Sequence, residues 1–513
     1  MNHIVPFYIV LPLAAAFLIS ILGRFIKGFS KVTAGFIFFT LLCLSFFYIF
    51  SGDHSTIVYN IGGWEPVNNI PIGIYLILDP FSGFMLCIIN TMAFLSALYA
   101  VSYISLYTGE NYFYTLLCIM VAGLNGVVVT GDLFNLYVFL EITVIASYAL
   151  VAFGTEKEEL EASFKYQVLG GIATTLILFS IGMIYWYTKT LNIPDIAGIL
   201  NKSPDEKIVQ FCQLMLIAGF GLKAAIMPFH GWLPDAHSSA PSPISAMLSG
   251  VVIKAAGLYV IFRLFFNMFQ LTYEISILIT AIGTLSMVVG VFLAIGQWDL
   301  KRLLAYHSIS QMGYVIIGVG MGMMILANNG NKAFASLAIM GGLFHLINHA
   351  VFKGLLFLNA GAIEYRLGTR DLNKMGGLFE KMPVTSATSL TASMAISGIP
   401  PFNGFFSKLV IIIAAVLAKY YILAALAVFV SIITLASFMK FQRYAFFNRK
   451  SIKKAVNEVK DVPFLMKFSM IVLAVLCLAL SLILIPGIRD TILQPAVDVL
   501  MGKNDYYINL LNM

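Results

Sequence analysis

Long apolar runs alternate with short polar segments along almost the whole chain. Fourteen runs have 17 or more residues, and about 20 apolar residues let a helix cross the hydrocarbon core of a bilayer. The pattern predicts an all-α polytopic membrane protein with about 14 transmembrane helices. The predicted spans are 4–22, 32–50, 78–104, 112–130, 133–153, 164–188, 208–228, 243–266, 275–296, 303–325, 334–361, 386–417, 420–440 and 467–486.

The composition also indicates a protein that is embedded in a lipid bilayer. Of the 513 residues, 60% are hydrophobic and only 11% are charged, whereas soluble domains carry about 25% charged residues. These values exclude a soluble enzyme, a disordered chain and a nucleic-acid binder. The five cysteines all lie inside apolar runs without metal-binding or haem-attachment spacing, so the sequence predicts no metal and no cofactor.

The distribution of Lys and Arg between the loops predicts the orientation. With the N-terminus outside, the inside loops carry 19 Lys and Arg residues, Lys301 among them, and the outside segments carry 8, Arg263 among them. Because cytoplasmic loops are enriched in these residues, we expect both termini on the extracytoplasmic side of the cell membrane. The first run has no small-residue cleavage site, which favours a retained helix over a signal peptide.

Two of the predicted helices contain proline. Met227-Pro228 lies in the seventh run and Pro400-Pro401 in the twelfth. Broken helices in corresponding positions of two halves indicate inverted repeats with a site near the midplane. We therefore expect three N-terminal helices (1–111), two inverted five-helix repeats (112–266 and 275–440), and a basic cytoplasmic loop with a last helix (441–513).

The predicted spans carry five charged residues away from their ends: Glu141, Lys223, Lys254, Lys353 and Lys408. A charge at the bilayer centre costs on the order of 2.5–3.5 kcal/mol on insertion scales. Such residues must be hydrated, paired or neutralised, and as a set they favour a functional interpretation. The structural alternative is that individual lysines extend to the interface or hold helices together.

The eleventh run carries a regular row of ionisable side chains. His345, His349 and Lys353 are spaced i, i+4 and i+8, which places them along one helical face. Neutral histidine can hold or release a proton near physiological pH, so the row predicts a proton relay. The alternatives are a hydrogen-bonded helix contact or a metal site, but no carboxylate or third histidine stands at metal spacing.

A second group of ionisable residues provides candidates for proton entry or gating. His230, Asp235 and His237 lie in the segment PFHGWLPDAHSSAPSP, and His307 lies in the tenth run. For the two histidines of the segment, gating and simple capping of helices remain equally open.

Several segments resemble one protein family. They are GDLFNLYVFLE (131–141), GLKAAIMPFHGWLPDAHSSAPSPISAMLSGVVIKAAGLY (221–259), LLAYHSISQMGYV (303–315), HLINHAVFKGLLFL (345–358) and GIPPFNGFFSK (398–408). Together they resemble the antiporter-like proton-translocating subunits. That family includes large membrane subunits of NADH:quinone oxidoreductase, the A and D subunits of multisubunit Na⁺/H⁺ antiporters, and counterparts in membrane-bound hydrogenases. The fifth and eighth helices are most similar to the antiporter D type and the hydrogenase subunits.

The resemblance implies a role for each buried charge. Glu141 and Lys223 correspond to the family's carboxylate–lysine pair, and Lys254 corresponds to its central lysine. The row in the eleventh helix corresponds to the link between the two halves, and Lys408 to the ionisable group at the second broken helix. It also implies other integral membrane subunits as partners, with peripheral redox subunits as further candidates.

The sequence therefore predicts a proton-translocating subunit of a multisubunit membrane complex, driven by redox partners or by ion exchange. The chain contains no redox group of its own, so any redox energy must come from other subunits. Two alternatives remain open. In the first, the subunit carries Na⁺ itself, and the few candidate oxygen ligands are Asp79, Asp132 and Glu141. In the second, the subunit is largely structural.

Overall fold

The computed structural model describes residues 2–52, 55–64, 73–201, 206–447 and 459–502. Within them, twelve helical segments are long and apolar enough to cross a membrane, and the shorter helices Phe7–Leu22 and Asn403–Leu417 are also apolar. These segments match the fourteen predicted spans one to one. The chain is an all-α polytopic membrane protein, as the hydropathy pattern predicted.

The helices in chain order are α1 (Phe7–Leu22), α2 (Phe29–Phe50), α3 (Pro80–Tyr103), α4 (Glu110–Val129), α5 (Leu133–Val151), α6 (Lys157–Thr188), α7 (Ile193–Leu200), α8 (Lys207–Ala224), α9 (Leu233–Ser239), α10 (Ser242–Met247), α11 (Val260–Asn267), α12 (Tyr273–Ile295), α13 (Leu300–Ala327), α14 (Lys332–Leu367), α15 (Leu378–Lys381), α16 (Pro383–Ser397), α17 (Asn403–Leu417), α18 (Tyr421–Gln442), α19 (Phe464–Ala479), α20 (Pro486–Ile492) and α21 (Gln494–Met501). Helix α6 begins seven residues before the predicted sixth span. Its polar first turns are stabilised by a capping box between Glu156 and Glu159, which hydropathy does not detect.

Both predicted helix breaks are present. Helix α8 ends at Ala224, and the chain passes Pro228 before α9 begins. Helix α16 is terminated by Gly398, whose φ of 78° is left-handed, and α17 begins two residues after Pro401. A break of this kind exposes backbone carbonyls inside the protein, where side chains can satisfy them.

The eighth span, residues 242–267, is continuous but irregular. Between α10 and α11 it contains two π-helical stretches, Leu248–Val252 and Lys254–Tyr259. Wide turns of this type are frequent at functional sites. They lie on either side of Ile253, and the second begins at the buried Lys254. No pattern in the sequence predicts them.

Helices α5 and α13 begin in the same way. Asp132 and Asp299 each cap a helix by accepting a backbone N–H, from Asn135 and Arg302 respectively. Each Asp also forms an isolated antiparallel bridge to a residue just past a long helix, Asn192 after α6 and Asp371 after α14. Two distant parts of the chain thus share one local arrangement.

A two-stranded antiparallel hairpin is the sheet structure found within the described ranges. Strand β1 (Ile57–Ile61) pairs with β2 (Ile74–Leu78). The strands are five residues long and lie between the second and third spans, where hydropathy predicts only a loop. Lys202 and Lys503, which were counted with the outside segments, and residues 448–458 of the predicted basic loop lie outside the described residues.

Helix α14 lies at the centre of the helix packing. It has 36 residues and packs against α3, α10, α13, α16, α17 and α19. Its residues from Ala338 to Ile363 are buried almost without interruption. The predicted row of ionisable side chains is therefore enclosed by protein on all sides.

Candidate functional site

The first predicted pair is joined through a threonine. Lys223 lies in the last turn of α8, and its Nζ is 3.7 Å from Oε1 of Glu141 on α5. Thr174 Oγ1, on α6, accepts a hydrogen bond from Lys223 Nζ at 3.0 Å and donates one to Glu141 Oε1 at 2.7 Å. The Lys223 side chain is 2% exposed and that of Glu141 27%. The threonine hydroxyl therefore bridges the pair, the direct contact between amine and carboxylate is long, and the lysine end is buried.

Lys254 is completely buried and has a neutral partner. Its Nζ donates to the backbone carbonyl of Ser249 at 2.5 Å, an acceptor within the first π-helical stretch. The eighth span touches the end of α8, because a Cβ at Gly257 would lie 2.5 Å from the Cβ of Ala224. Lys254 thus lies on the helix that packs directly beside the turn carrying Lys223.

The row on α14 consists of His345, His349 and Lys353, here called the α14 row. All three side chains are buried. His345 bonds to Ser407 Oγ at 2.9 Å through Nδ1 and to Gln311 Oε1 at 3.2 Å through Nε2. The row therefore contacts both α17 and α13.

The other two members of the α14 row are held differently. Neither ring nitrogen of His349 has a hydrogen-bond partner among the described residues. Lys353 Nζ donates to the carbonyl of Leu304 at 2.5 Å, and it lies 5.9 Å from the ring centroid of Phe357. Both ring nitrogens of His349, in the middle of the row, are therefore available to bond to another group.

Lys408 lies in α17, directly after the second break. Its Nζ donates at 2.8 Å to the carbonyl of Ile396, which the end of α16 leaves available. It also lies 4.9 Å from the ring centroid of Tyr314, a distance suited to a cation–π contact. Ser407, the hydroxyl partner of His345, is its neighbour in the chain.

The four predicted entry or gating residues occupy separate places. His230 is half-buried in the turn between α8 and α9, and its Nδ1 has no partner among the described residues. His237 is buried, stacks on Phe357 at 4.7 Å and likewise lacks a hydrogen-bond partner within the described ranges. His307 Nε2 bonds to Ser437 Oγ at 2.8 Å.

Asp235 takes part in an ion-pair network. It pairs with Lys165 at 2.9 Å and with Arg302 at 2.7 Å, which joins α9 to α6 and α13. This carboxylate therefore links three helices near one end of the bundle, and among the described residues it forms no ion pair with the buried lysines.

Helix contacts place the predicted residues in one order. Glu141, Thr174 and Lys223 join α5, α6 and α8, and α8 touches the eighth span. A Cβ at Gly250 of that span would lie 3.5 Å from the carbonyl oxygen of Ala350, next to His349. The α14 row then reaches α17 through His345 and Ser407, beside Lys408.

The family model described as NADH:quinone oxidoreductase/Mrp antiporter, transmembrane, matches residues 130–434. The chain belongs to this family. This match contains the broken helices and all seven residues of the predicted path, and it confirms the resemblance seen in the motifs.

Individual relatives agree with this membership. The chain is 34% identical to the D-type member of the Na(+)/H(+) antiporter of Alkalihalophilus pseudofirmus, over 88% of each chain. It is similar to a chain of the Mrp complex from Dietzia sp., with a TM-score of 0.88, 27% identity and 99% of each chain covered. It is also similar to a chain of a membrane-bound sulfane sulfur reductase, an archaeal respiratory membrane complex. That match has a TM-score of 0.87 and 28% identity, and it covers 99% of each chain.

Two buried cations of this antiporter-family chain were assigned to loops by the sequence, and both assignments are wrong. Arg263, counted with an outside loop, is 5% exposed in α11. Its guanidinium binds both carboxylate oxygens of Asp79, at 2.7 and 2.8 Å. Lys301, counted with an inside loop, is 1% exposed and pairs with Glu364 at 2.7 Å. Their partners come from distant positions, so no local pattern reveals them.

Thr174 bridges Glu141 and Lys223, and the sequence analysis did not predict it. A single threonine in an apolar helix is common, since its hydroxyl can donate to the carbonyl four residues earlier. Gly170 O lies 2.9 Å from Thr174 Oγ1 and is the alternative acceptor for the one proton that the hydroxyl donates to Glu141. Only the packing of α6 between α5 and α8 places it between a carboxylate and an amine.

Proposed function

We propose that this chain translocates protons across a membrane through Glu141, Lys223, Lys254, the α14 row and Lys408. The observation that carries the proposal is the state of three lysines. Lys254, Lys353 and Lys408 are buried, and within the described residues each amine bonds to a backbone carbonyl and has no carboxylate within 4 Å.

Such an amine has no fixed counter-charge, so its protonation responds to charges nearby. Two unit charges about 4 Å apart interact by roughly 4 kcal/mol at an effective dielectric near 20. That energy equals about three pKa units. A proton that arrives at one site can therefore displace the next one along the row of helices.

The α14 row provides the connection between the two ends of this path. Its members extend over about 12 Å at 1.5 Å per residue, which is too long for one direct transfer and suits relay through water. Neutral histidine accepts a proton at one nitrogen and donates from the other. His349 has both nitrogens free for this role among the described residues.

The proposal includes an internal repeat. We place the first inverted repeat at 112–266 and the second at 275–440, each with one broken helix. The matched starts of α5 and α13, and their bridges to the residues after α6 and α14, support this division.

The setting of the proposed function follows from the loops and from the relatives. We place the chain in the cell membrane with both termini outside the cytoplasm, in a complex with other integral membrane subunits. The Mrp complex and the sulfane sulfur reductase complex contain chains of this fold. Peripheral redox subunits would supply energy in a respiratory complex, and ion exchange would do so in an antiporter.

A second candidate is that the subunit carries Na⁺ itself, which the name of the Na(+)/H(+) antiporter relative favours. The geometry supports it less well. Asp79 is bound on both oxygens by Arg263, Asp132 caps α5, and Glu141 is engaged by Thr174. Sodium prefers several oxygen ligands converging on one point, and these three carboxylates are each held by separate partners.

The third candidate, a structural role, is separated from the first by transport measurements. The experiment uses membrane vesicles that contain the chain with its natural partner subunits, and follows energised proton uptake with a pH-sensitive dye. We expect Glu141→Gln and Lys223→Ala to abolish uptake at unchanged subunit levels. Lys419→Ala, at an exposed position outside the path, is the matched control.

The outcomes separate the candidates. Wild-type uptake in Glu141→Gln and Lys223→Ala would contradict the proposal and favour a structural role. Uptake that depends on external Na⁺ and is lost in both variants would favour the second candidate.

A further inference from the structure

A basic cleft opens at one end of the helix bundle, away from the proposed proton path. It has a volume of about 560 Å³ and is formed by the end of α1, the start of α2 and the start of α4. Arg24, Lys27 and Lys31 line it, and Glu110 is the one acidic residue among its lining residues. Because it lies where three spans end, the cleft is at the membrane surface.

The cations of the basic cleft are only partly neutralised. Lys31 Nζ pairs with Glu110 Oε2 at 2.9 Å. Arg24 and Lys27 are exposed, and neither forms an ion pair with any residue that the structure describes. Two positive charges therefore remain without a counter-charge in one concave site.

The backbone adds donors to the same place. Helices α2 and α4 begin after Gly28 and Gly109, which have φ values of 77° and 85°, and neither helix start has a side-chain cap. Both glycines line the cleft. Helix starts carry free N–H groups and partial positive charge, which favour an anion.

An apolar rim borders the cleft: Tyr112 lines it, and Phe25 and Val32 directly follow the lining residues Arg24 and Lys31 in the chain. Phe25 is 80% exposed and Tyr112 63% exposed, and Val32 and Phe36 of α2 are exposed at 72% and 67%. In a membrane protein such residues contact lipid chains. Aromatic residues next to cations are typical of the level at which lipid head groups lie. A ligand of this site is therefore anionic at one end and apolar at the other.

We propose that the basic cleft binds one anionic phospholipid, with its phosphate between Arg24 and Lys27 and its acyl chains along the exposed face of α2. Basic pockets between transmembrane helices bind anionic head groups in this way. A free inorganic phosphate shares the head-group chemistry but does not use the apolar rim. The proposal is independent of the proton path, because no residue of the cleft belongs to it.

The test measures lipid retained by the full-length chain after purification in detergent, by native mass spectrometry. The probes are phosphatidylglycerol and phosphatidylcholine with identical acyl chains. We expect one phosphatidylglycerol per chain and no bound phosphatidylcholine. Each cation at a lipid surface contributes about fivefold in affinity, so Arg24→Gln/Lys27→Gln should bind phosphatidylglycerol roughly thirtyfold more weakly.

Lys332→Gln/Lys419→Gln is the matched control, because it removes two exposed lysines at the opposite ends of the spans. It should retain the lipid as the wild type does. Equal retention in Arg24→Gln/Lys27→Gln and the wild type, or equal binding of phosphatidylcholine, would overturn the proposal. Displacement of the lipid by an equal concentration of inorganic phosphate would identify a free-anion site and would overturn it as well.

Discussion

Two regions of this molecule bury cations in opposite ways. Near the hairpin, Arg263 holds Asp79 through two hydrogen bonds of 2.7 and 2.8 Å, and Asn267 on the same helix connects to the carbonyl of Val499. Along the proposed path, Lys254 and Lys353 bond to backbone carbonyls. The first region neutralises its charge inside the protein, and the second does not among the described residues.

The comparison shows that the partner of a buried cation says more about the cation's role than its burial does. A guanidinium bound bidentately by a carboxylate is fixed in geometry and in charge, so it suits a structural clamp. An amine bound by one neutral oxygen can lose its proton without leaving an anion unpaired. Lys301, paired with Glu364 at 2.7 Å, belongs with the clamp although it is a lysine. Lys223 is intermediate, because Thr174 lies between its amine and the carboxylate of Glu141.

The largest expected effect on stability comes from breaking the clamp. Asp79→Asn removes the carboxylate that binds the buried guanidinium of Arg263 at two points, and loss of one partner of a buried pair costs about 3–5 kcal/mol. We expect a much lower melting temperature in detergent. The control is Asp490→Asn, whose carboxylate pairs with Arg489 at an exposed site. A normal melting temperature in Asp79→Asn would remove the distinction between the two regions.

A transport defect with a smaller loss of stability is expected from the α14 row. Lys353→Ala should slow proton translocation by about a hundredfold, since a positioned proton-transfer group contributes at least that much. The change leaves no carboxylate unpaired among the described residues, so the melting temperature should fall less than in Asp79→Asn. His349→Ala should impair transport more than His345→Ala. Full activity in the His349→Ala/Lys353→Ala double variant would exclude this route.

The smallest expected effect on transport comes from the Thr174 hydroxyl, which bridges Glu141 and Lys223. Thr174→Val keeps the shape of the side chain but removes the hydroxyl that joins Glu141 to Lys223. A hydrogen bond contributes about 0.5–1.5 kcal/mol, so we expect transport to slow about threefold to tenfold. Thr175→Val is the control, because Thr175 lies on the exposed side of α6. Equal rates in the two variants would mean that the bridge has no part in transport.

The sequence predicted those features that depend on local pattern. Run length predicted the fourteen spans, proline predicted both breaks, and the i, i+4, i+8 spacing placed the α14 row on one face. It failed where a residue's environment depends on distant segments. Arg263 and Asp79 are 184 positions apart, and Thr174 is 33 positions from Glu141. The two π-helical stretches around Lys254 also have no signal in the local sequence pattern.

Our assignment gives proton transfer to buried lysines that have no carboxylate partner among the described residues. It is tested most directly at Lys254, which is completely buried and bonds only to the Ser249 carbonyl within the described residues. The measurement is the proton translocation rate per assembled subunit in Lys254→Met, whose side chain keeps similar length and loses the amine. We predict a rate at background with normal assembly and melting. A wild-type rate in the assembled variant would contradict the account.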